Sequence, residues 1–312
     1  MRAVTIRDHE ITIEEHPDPV PGHGEVLVRV RAAGLNGADI MQKRGRYPAP
    51  PGSPQDIPGL EFAGEVAGLG EGTDRFAPGD RVMAIVGGGG QAELVTLHER
   101  QLMPVPNGLG WPEAGGLPEV FLTAHDALFT QADLRMGEHL LVHGGAGGVG
   151  TAAIQLARAT GARVSATVHR EELREGVEEL GGDAITPERF GTTGPYDVVL
   201  ELVGAQNLGE NLEALQTGGR IVVIGVAAGA KSEINLLTLM GKRARIHGSM
   251  LRSRPLEEKA LASRRLEHEV LPGFENGVLK VPVHETFPLD AAAQAYESFA
   301  AGGKLGKIVL TL

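Results

Sequence analysis

The chain has 312 residues, 42% hydrophobic and 22% charged, which is ordinary for a soluble globular protein and enough for about two domains. Its formal net charge of −11 argues against nucleic acid or an anionic membrane surface as a partner, because both need basic patches. It contains no cysteine, which excludes a disulfide framework, a thiol nucleophile and a thiolate metal site.

Met1–Glu15 lacks an apolar signal core and reads as a strand pair turning near Asp8–His9. No apolar run approaches the ~18 residues of a membrane helix, so the expectation is a cytoplasmic protein without a membrane partner. Glu25–Ala32 alternates apolar and charged residues, as a half-buried strand does. Ala63–Ala67, Arg81–Val86 and Ala92–Thr96 are further short strands. Turn-forming clusters separate them: Pro17–Gly24, Pro48–Pro58, Gly68–Gly72, Pro78–Asp80 and Gly87–Gly90. Many short strands with such turns predict a small barrel.

The rhythm changes near Pro112, and Pro118–Phe129 reads as a helix. His139–Gly161 then reads as a buried strand, a glycine turn and a helix. Gly145, Gly147 and Gly150 fit G-x-G-x-x-G; Gly148 and Val149 are cofactor-binding candidates with them, and Val149, Ala153, Leu156 and Ala157 fall on one helical face. In a chain with 45 glycines the bare pattern carries little weight; the strand before it and the helix after it carry the argument. In that context the first glycine permits a tight turn, the second admits a pyrophosphate, and the third packs helix on strand. Phosphates would sit on the helix N-terminus, where free N–H groups favour anions.

The βα series continues with a strand at Arg163–Val168, a charged helix at Glu171–Leu180 and a short strand at Ala184–Ile185. A strand at Asp197–Val203, a helix at Gly209–Leu215 and a strand at Arg220–Ile224 come next. Leu236–Met240 is helix-like and Arg243–His247 supplies a sixth strand. The link before Asp197 is too short and too rich in glycine and proline for a full helix. This is the pattern of a doubly wound parallel sheet. Leu256–Glu275 reads as one long amphipathic helix, and Val281–Val283 and Lys307–Leu312 return the chain to strand and to the first domain.

In this order the motifs HGEVLVRVRAAGLNGADIMQKRGRYPAPPG, IPGLEFAGEV, LPEVFLTAHDAL, GGAGGVGTAAIQLA, DVVLELVG, GGRIVVIG, GSMLRSR and GKLGKIVL resemble a known family. It is the zinc-free quinone oxidoreductase (zeta-crystallin-like) branch of the medium-chain dehydrogenase/reductases, with most likeness to the p53-inducible quinone reductase type. The resemblance implies an α/β fold in which a doubly wound Rossmann domain is inserted in a GroES-like β-barrel catalytic domain. The implied ranges are 1–118 and 255–312 for the barrel and 119–254 for the NADP-binding domain, with a cleft between them. It also implies a homodimer joined through the edge strand of the Rossmann sheet.

Zinc relatives place cysteine and histidine where this chain has Asn36 and Leu60, and only Glu61 survives. One carboxylate does not hold zinc. His139 and His143, four apart on a strand, stand about 13 Å apart. The resemblance therefore implies no metal, and polarisation of a carbonyl falls to hydrogen bonds. Asn36 either donates its amide to substrate, holds the nicotinamide-side geometry, or is a turn asparagine. Tyr47 is an acid or hydrogen-bond donor, or packs its proline-rich loop. Asp39 reads as a turn or cap residue, and Glu61 as a brace.

Thr123 resembles the family threonine beside the nicotinamide; the alternative is a helix threonine bonding its own backbone. Met250 and Leu251 match a segment whose backbone holds the carboxamide in relatives. Gly225 and Lys304 complete the implied cofactor set, and Lys307 reads as a solvated charge. At the end of the second Rossmann strand Thr167, His169 and Arg170 suit a 2′-phosphate, and no acid appears before Glu171. His169 and Arg170 depart from the family's usual Gly-Ser, and Pro187 from its usual tyrosine. NADP(H) remains the expected cofactor.

Three activities follow from the resemblance. The first is NADPH-dependent reduction of quinones or related conjugated carbonyls. The second is an enoyl-thioester reductase with Tyr47 as proton donor. The third is a cofactor-binding protein without turnover.

Overall fold

The computed structural model describes residues 1–312 in full. The strands are β1 (Arg2–Arg7), β2 (Glu10–Glu15), β3 (Glu25–Gly34), β4 (Glu61–Leu69), β5 (Arg81–Ile85), β6 (Leu94–His98), β7 (Met103–Pro104), β8 (His139–Val142), β9 (Arg163–Thr167), β10 (Asp183–Ile185), β11 (Tyr196–Glu201), β12 (Leu215–Val223), β13 (Arg245–Gly248), β14 (Val283–Pro288) and β15 (Lys307–Thr311). The helices are α1 (Gly37–Lys43), α2 (Trp111–Gly115), α3 (Pro118–His125), α4 (Gly148–Ala159), α5 (Arg174–Glu179), α6 (Phe190–Thr193), α7 (Leu208–Ala214), α8 (Leu236–Lys242), α9 (Leu256–Glu269), α10 (Leu271–Glu275) and α11 (Ala292–Ala301).

The chain divides into two compact units. Unit 1 comprises residues 1–122, 251–302 and 307–312; unit 2 comprises 123–250 and 303–306. The short segment 303–306 in unit 2 interrupts the return expected for 255–312. The cause is local: the Gly306 N–H donates to the Ala146 carbonyl at 2.8 Å, and Leu305 packs on Gly176, where any Cβ would lie 2.5 Å from it.

Unit 1 is built on β3. This ten-residue strand pairs β4 along one edge; along the other it pairs β6 at residues 25–29 and β15 at residues 32–34. The sheet runs β14-β15-β3-β4-β5-β7, and β1 and β2 form a separate hairpin. Asp8 and His9 take positive φ at its tip, as a two-residue hairpin turn of that hand requires. One core gathers Val26, Val28, Val30, Phe62, Val82 and Val95. A second places Leu35, Ile308 and Leu310 against α11, which no sequence expectation covered. The Tyr296 hydroxyl of α11 donates to Gln91 Oε1 at 2.9 Å, both side chains being buried. The expected single helix over 256–275 is broken at Val270, because Pro272 has no N–H to continue it.

Unit 2 is a parallel six-stranded sheet in the order β10-β9-β8-β11-β12-β13. With β8 as its first strand this is the 3-2-1-4-5-6 order of a doubly wound fold. The order reverses between β8 and β11, which is where such sheets open a crevice beyond their carboxyl ends. Leu141, Tyr196, Val199 and Ile221 fill the core on one side with Phe190 and Leu212. The stretch before β11 holds only single turns at 187–189 and 190–193, as its glycine and proline content predicts.

Candidate functional site

In unit 2 the turn after β8 is built from backbone contacts. His143 continues the ladder by donating its N–H to Leu200 O at 3.0 Å. Gly144 then takes φ +72°, a left-handed conformation that favours glycine. The tight turn therefore falls at Gly144, one residue before the glycine expected to make it. Gly145 instead permits close packing: its N–H donates to Thr167 O at 2.9 Å, and a Cβ there would lie 2.7 Å from Ala166 Cβ. Gly150 packs similarly, 2.4 Å from Gly144 O. Gly147 differs, because its nearest would-be neighbour is at 3.4 Å and its Cβ would meet nothing tighter.

Helix α4 begins at Gly148 with Gly147 as N-cap and no capping side chain. Thr151 is the first residue to donate back, to Gly147 O at 2.8 Å. The N–H groups of Gly148, Val149 and Gly150 thus have no intrahelical partner, and with the dipole they suit a phosphate anion. An open Gly147 before a 12-residue helix lacking a capping side chain fits a dinucleotide pyrophosphate.

The other cofactor candidates of unit 2 divide by exposure. Thr167 is buried, and its hydroxyl lies under the turn, accepting the Gly144 N–H at 3.1 Å and meeting His143 Nδ1 at 3.3 Å. It supports the turn from beneath. His169 and Arg170 are exposed just beyond β9. The Arg170 guanidinium lies over Gly303, where a Cβ would come within 2.3 Å of it, and stands 3.7 Å from Glu172. Gly225 is close-packed on the Leu202 carbonyl, 2.2 Å from a would-be Cβ. Lys304 is half-buried in the 303–306 segment, and Met250 is exposed at the end of the unit. Thr123 is buried in α3, and its hydroxyl makes no hydrogen bond to the helix backbone, unlike the self-bonded alternative.

In unit 1 the Lys307 ammonium is the centre of a buried cluster. It donates to Leu35 O, Asn36 Oδ1 and Glu61 Oε1, each at 2.7 Å, and is 3% exposed. The expectation of a solvated charge is therefore corrected: β15 pairs with the end of β3 and carries the lysine inward. The Asn36 amide donates to Glu61 Oε1 at 2.9 Å and Gly34 O at 3.3 Å. Both amide hydrogens are engaged within the protein, so Asn36 belongs to the brace and its expected donation to substrate is corrected. Glu61 Oε2 accepts the Glu119 N–H at 2.8 Å, which is the bracing role expected of it. Asp39 caps α1, accepting N–H bonds from Asn36 at 2.8 Å and Gly59 at 3.1 Å, and burial pushes its carboxyl up to about 6.

Tyr47 is half-buried, and its hydroxyl takes no partner in the protein. Its ring lies 4.9 Å from the Arg252 guanidinium, and its carbonyl accepts Arg252 Nη1 at 2.9 Å. Arg252 also donates to Gly87 O at 2.7 Å and to Gln42 Oε1. Sequence reasoning missed Arg252, although it lies in GSMLRSR one residue past Leu251, which is itself buried. It missed Glu119 as well. Burial pushes the Glu119 carboxyl up to about 8; the Glu61 carboxylate adds to the rise, and Lys307 and Arg252 oppose it. For Glu119 the signal was a charge at the head of the apolar run PEVFL; Arg252 lies in a polar stretch that gives none.

The Glu119 carboxyl is thus neutral near pH 7 and holds a proton. Its folded value lies above its ordinary 4.5, so the wild type loses stability as pH rises from that value through about 8. Glu119→Gln does not titrate and escapes this loss. The melting temperature of the variant should gain on that of the wild type between about pH 5 and 8.5. Parallel melting profiles over that range would show that the carboxyl ionises normally.

Comparison with known proteins places this geometry in a family. Residues 22–129 match the alcohol dehydrogenase GroES-like domain, and residues 148–267 the zinc-binding dehydrogenase family. The quinone oxidoreductase of Rattus norvegicus is 34% identical over 306 residues, covering 94% of this chain and 91% of the relative. Among solved structures, an alcohol dehydrogenase superfamily protein from Novosphingobium aromaticivorans superposes with TM-score 0.89 at 29% identity, covering 100% of this chain and 99% of that one. A mycobacterial protein solved in complex with NADPH superposes with TM-score 0.89 at 25% identity, with all of both chains covered. A glycine turn on the first strand of a doubly wound sheet, a GroES-like unit, and likeness along the whole length to quinone oxidoreductases lead to one conclusion: the chain belongs to the quinone oxidoreductase family of the medium-chain dehydrogenase/reductases and is an oxidoreductase that binds a nicotinamide cofactor.

Proposed function

We propose that the protein is an NADPH-dependent, zinc-independent reductase of quinones or related conjugated carbonyls. The observation that carries this reading is the full-length likeness to quinone oxidoreductases. When bound, the nicotinamide supplies the hydride. The residues that would hold the cofactor are Gly147, Gly148, Val149 and Gly150 at the pyrophosphate, and His169 and Arg170 at the adenosine 2′-phosphate. Thr123, Gly225, Met250, Leu251 and Lys304 complete the proposed set. Thr167 acts beneath the turn. Tyr47, with its unpartnered hydroxyl, is the group we assign to meet the substrate oxygen and hold a proton there. Asn36 serves that chemistry by keeping Glu61 and Lys307 in place.

Zinc independence rests on the donor set. The positions that carry metal ligands in zinc relatives are Asn36 and Leu60, and Asn36 and Glu61 are bonded to an ammonium. NADPH oxidation measured against quinones, enones and enoyl thioesters should show turnover with the first two and no change after chelator treatment. Activity lost with a stoichiometric metal would sink the zinc-free reading. Turnover restricted to enoyl thioesters would assign the second activity, and tight binding without turnover the third.

The cofactor preference is read at Arg170, which is exposed just beyond β9 and stands 3.7 Å from Glu172. A charge-assisted contact of Arg170 to the 2′-phosphate predicts that Arg170→Ala weakens NADPH binding about 10- to 100-fold and leaves NADH nearly unchanged. Equal losses for both cofactors in fluorescence titrations would show that the phosphate is not read there.

We further propose a homodimer through unit 2. Strand β13 is an exposed edge, and Leu236, Leu237 and Met240 of α8 and Ile246 of β13 are exposed apolar residues near it. An unpaired edge flanked by apolar side chains is a surface that proteins cover. Light scattering should give twice the chain mass of 32.8 kDa. A mass of one chain at micromolar concentration would contradict the dimer.

A further inference from the structure

Three strands of unit 2 end side by side at the switch point, in the order β9-β8-β11. A buried polar side chain stands at the end of each, Thr167 closing β9, Glu201 closing β11 and His143 directly following β8. A fourth, Asn211 of α7, is fully buried beside them. Together they form one unbroken chain of hydrogen bonds. Thr167 Oγ1 takes the Gly144 N–H at 3.1 Å and meets His143 Nδ1 at 3.3 Å. His143 Nε2 meets Asn211 Oδ1 at 2.7 Å, and Asn211 Nδ2 donates to Glu201 Oε2 at 2.8 Å. Glu201 Oε1 accepts the N–H groups of Val203 at 2.7 Å and Gly204 at 2.8 Å.

The polarity of this chain is set from its two ends. The Gly144 N–H can only donate, so the Thr167 oxygen accepts it and its hydroxyl hydrogen is free to go to His143 Nδ1. The Glu201 carboxylate accepts two backbone N–H groups, so Asn211 turns its NH₂ to Glu201 and its oxygen to His143. A histidine that accepts at Nδ1 and donates at Nε2 is the neutral ring. Burial lowers the pKa of His143 and keeps it neutral, against the Glu201 carboxylate 3.8 Å away and Glu210, which act the other way. The Phe190 ring closes the remaining side at 4.7 Å between centroids.

We propose that His143 is a positioning residue that locks two turns to each other across the switch point. One is the glycine turn at Gly144, on the β8 side. The other is the Val203–Gly204 turn, on the β11 side. Gly144 and Gly204 both take positive φ, at +72° and +132°. Such turns offer little side-chain packing of their own, and the buried chain supplies the constraint that a preorganised site needs. Asn211 reaches the glycine turn only through the His143 side chain, whose imidazole it orients and which in turn orients Thr167. Loss of Asn211 should therefore loosen a turn it reaches only through that side chain. The consequence for the cofactor rests on the NADPH reading above; the consequence for the turn does not.

The test uses the full chain with Thr167→Val, Asn211→Leu, the double variant and Thr167→Ser. Amide hydrogen exchange at Gly144 and Gly145 is measured without cofactor, with the β4–β5 amides of unit 1 as reference. Both single variants should speed exchange at the turn about tenfold while the reference amides are unchanged. NADPH dissociation constants should rise about five- to tenfold, with kcat at saturating NADPH within about twofold of wild type. Thr167→Ser should restore both readouts, and the double variant should be no worse than the worse single one, because the two act in one chain. Additive losses, or an Asn211→Leu protein whose turn exchanges as in wild type, would overturn the proposal. So would a general rise in exchange that includes the reference amides, because that marks a purely structural role. If the turn responds as expected but neither wild type nor variants bind NADPH, the positioning role stands and the cofactor reading fails.

Discussion

The buried ion pair between Lys307 and Glu61 is the constraint on which unit 1 depends. Their exposures are 3% and 0%, and the two residues are far apart in the chain. Removing two charges from water is costly, and attraction offsets that cost only if the remaining lone pairs and protons are also satisfied. Here they are: the ammonium has three oxygen acceptors, and the carboxylate has donors on both oxygens. The pair therefore requires β15 to return and lie against β3, and requires the loop after β3 to present the Leu35 carbonyl and the Asn36 amide. The last strand of the chain thus completes a centre begun at its third.

Unit 2 meets an analogous problem with hydrogen bonds between mostly neutral groups. Its glycine turn must leave backbone N–H groups unpaired at the start of α4 and still keep one conformation. Close backbone packing at Gly145 and Gly150 does part of this. The rest comes from Thr167 beneath the turn and from the buried side chains behind it. Open donors in front and fully engaged groups behind are what an anion site requires, because preorganised donors cost no reordering when the anion arrives. In each unit the buried groups of these two clusters are engaged with one another. The groups left unpartnered, the Tyr47 hydroxyl in unit 1 and the first α4 amides in unit 2, are the ones with chemistry to offer.

Much of this was legible in the sequence. The alternation of Glu25–Ala32 and the strand–glycine–helix rhythm from His139 onward depend on neighbours in the chain, and periodicity reports them directly. The six Rossmann strands, the hairpin at Asp8–His9 and the doubtful helix before β11 all follow from such local signals. The family was legible from the order of its motifs. Helices α1 and α11 were not read: α1 is short and α11 is alanine-rich, so neither has a strong polar–apolar contrast. The break at Val270 was missed although Pro272 was in view, because the flanking amphipathic pattern runs through it.

The site residues show the same division more sharply. The sequence by itself determined that a glycine turn precedes a helix, that no thiolate can bind a metal, and that no acid precedes Glu171 at the end of β9. These are statements about composition and short spacing. Tertiary structure alone decided that Lys307 is buried, that both Asn36 amide hydrogens are engaged, that Thr167 faces inward, and that Gly144 rather than Gly145 takes the left-handed conformation. It also brought forward Glu119 and Arg252, which sequence reasoning passed over, and His143, which it weighed only as a metal ligand. The physical reason is range. A hydrogen-bonded cluster satisfies donors and acceptors from strands and helices remote in the chain, and whether a polar side chain is solvated or buried depends on which of those remote partners arrives.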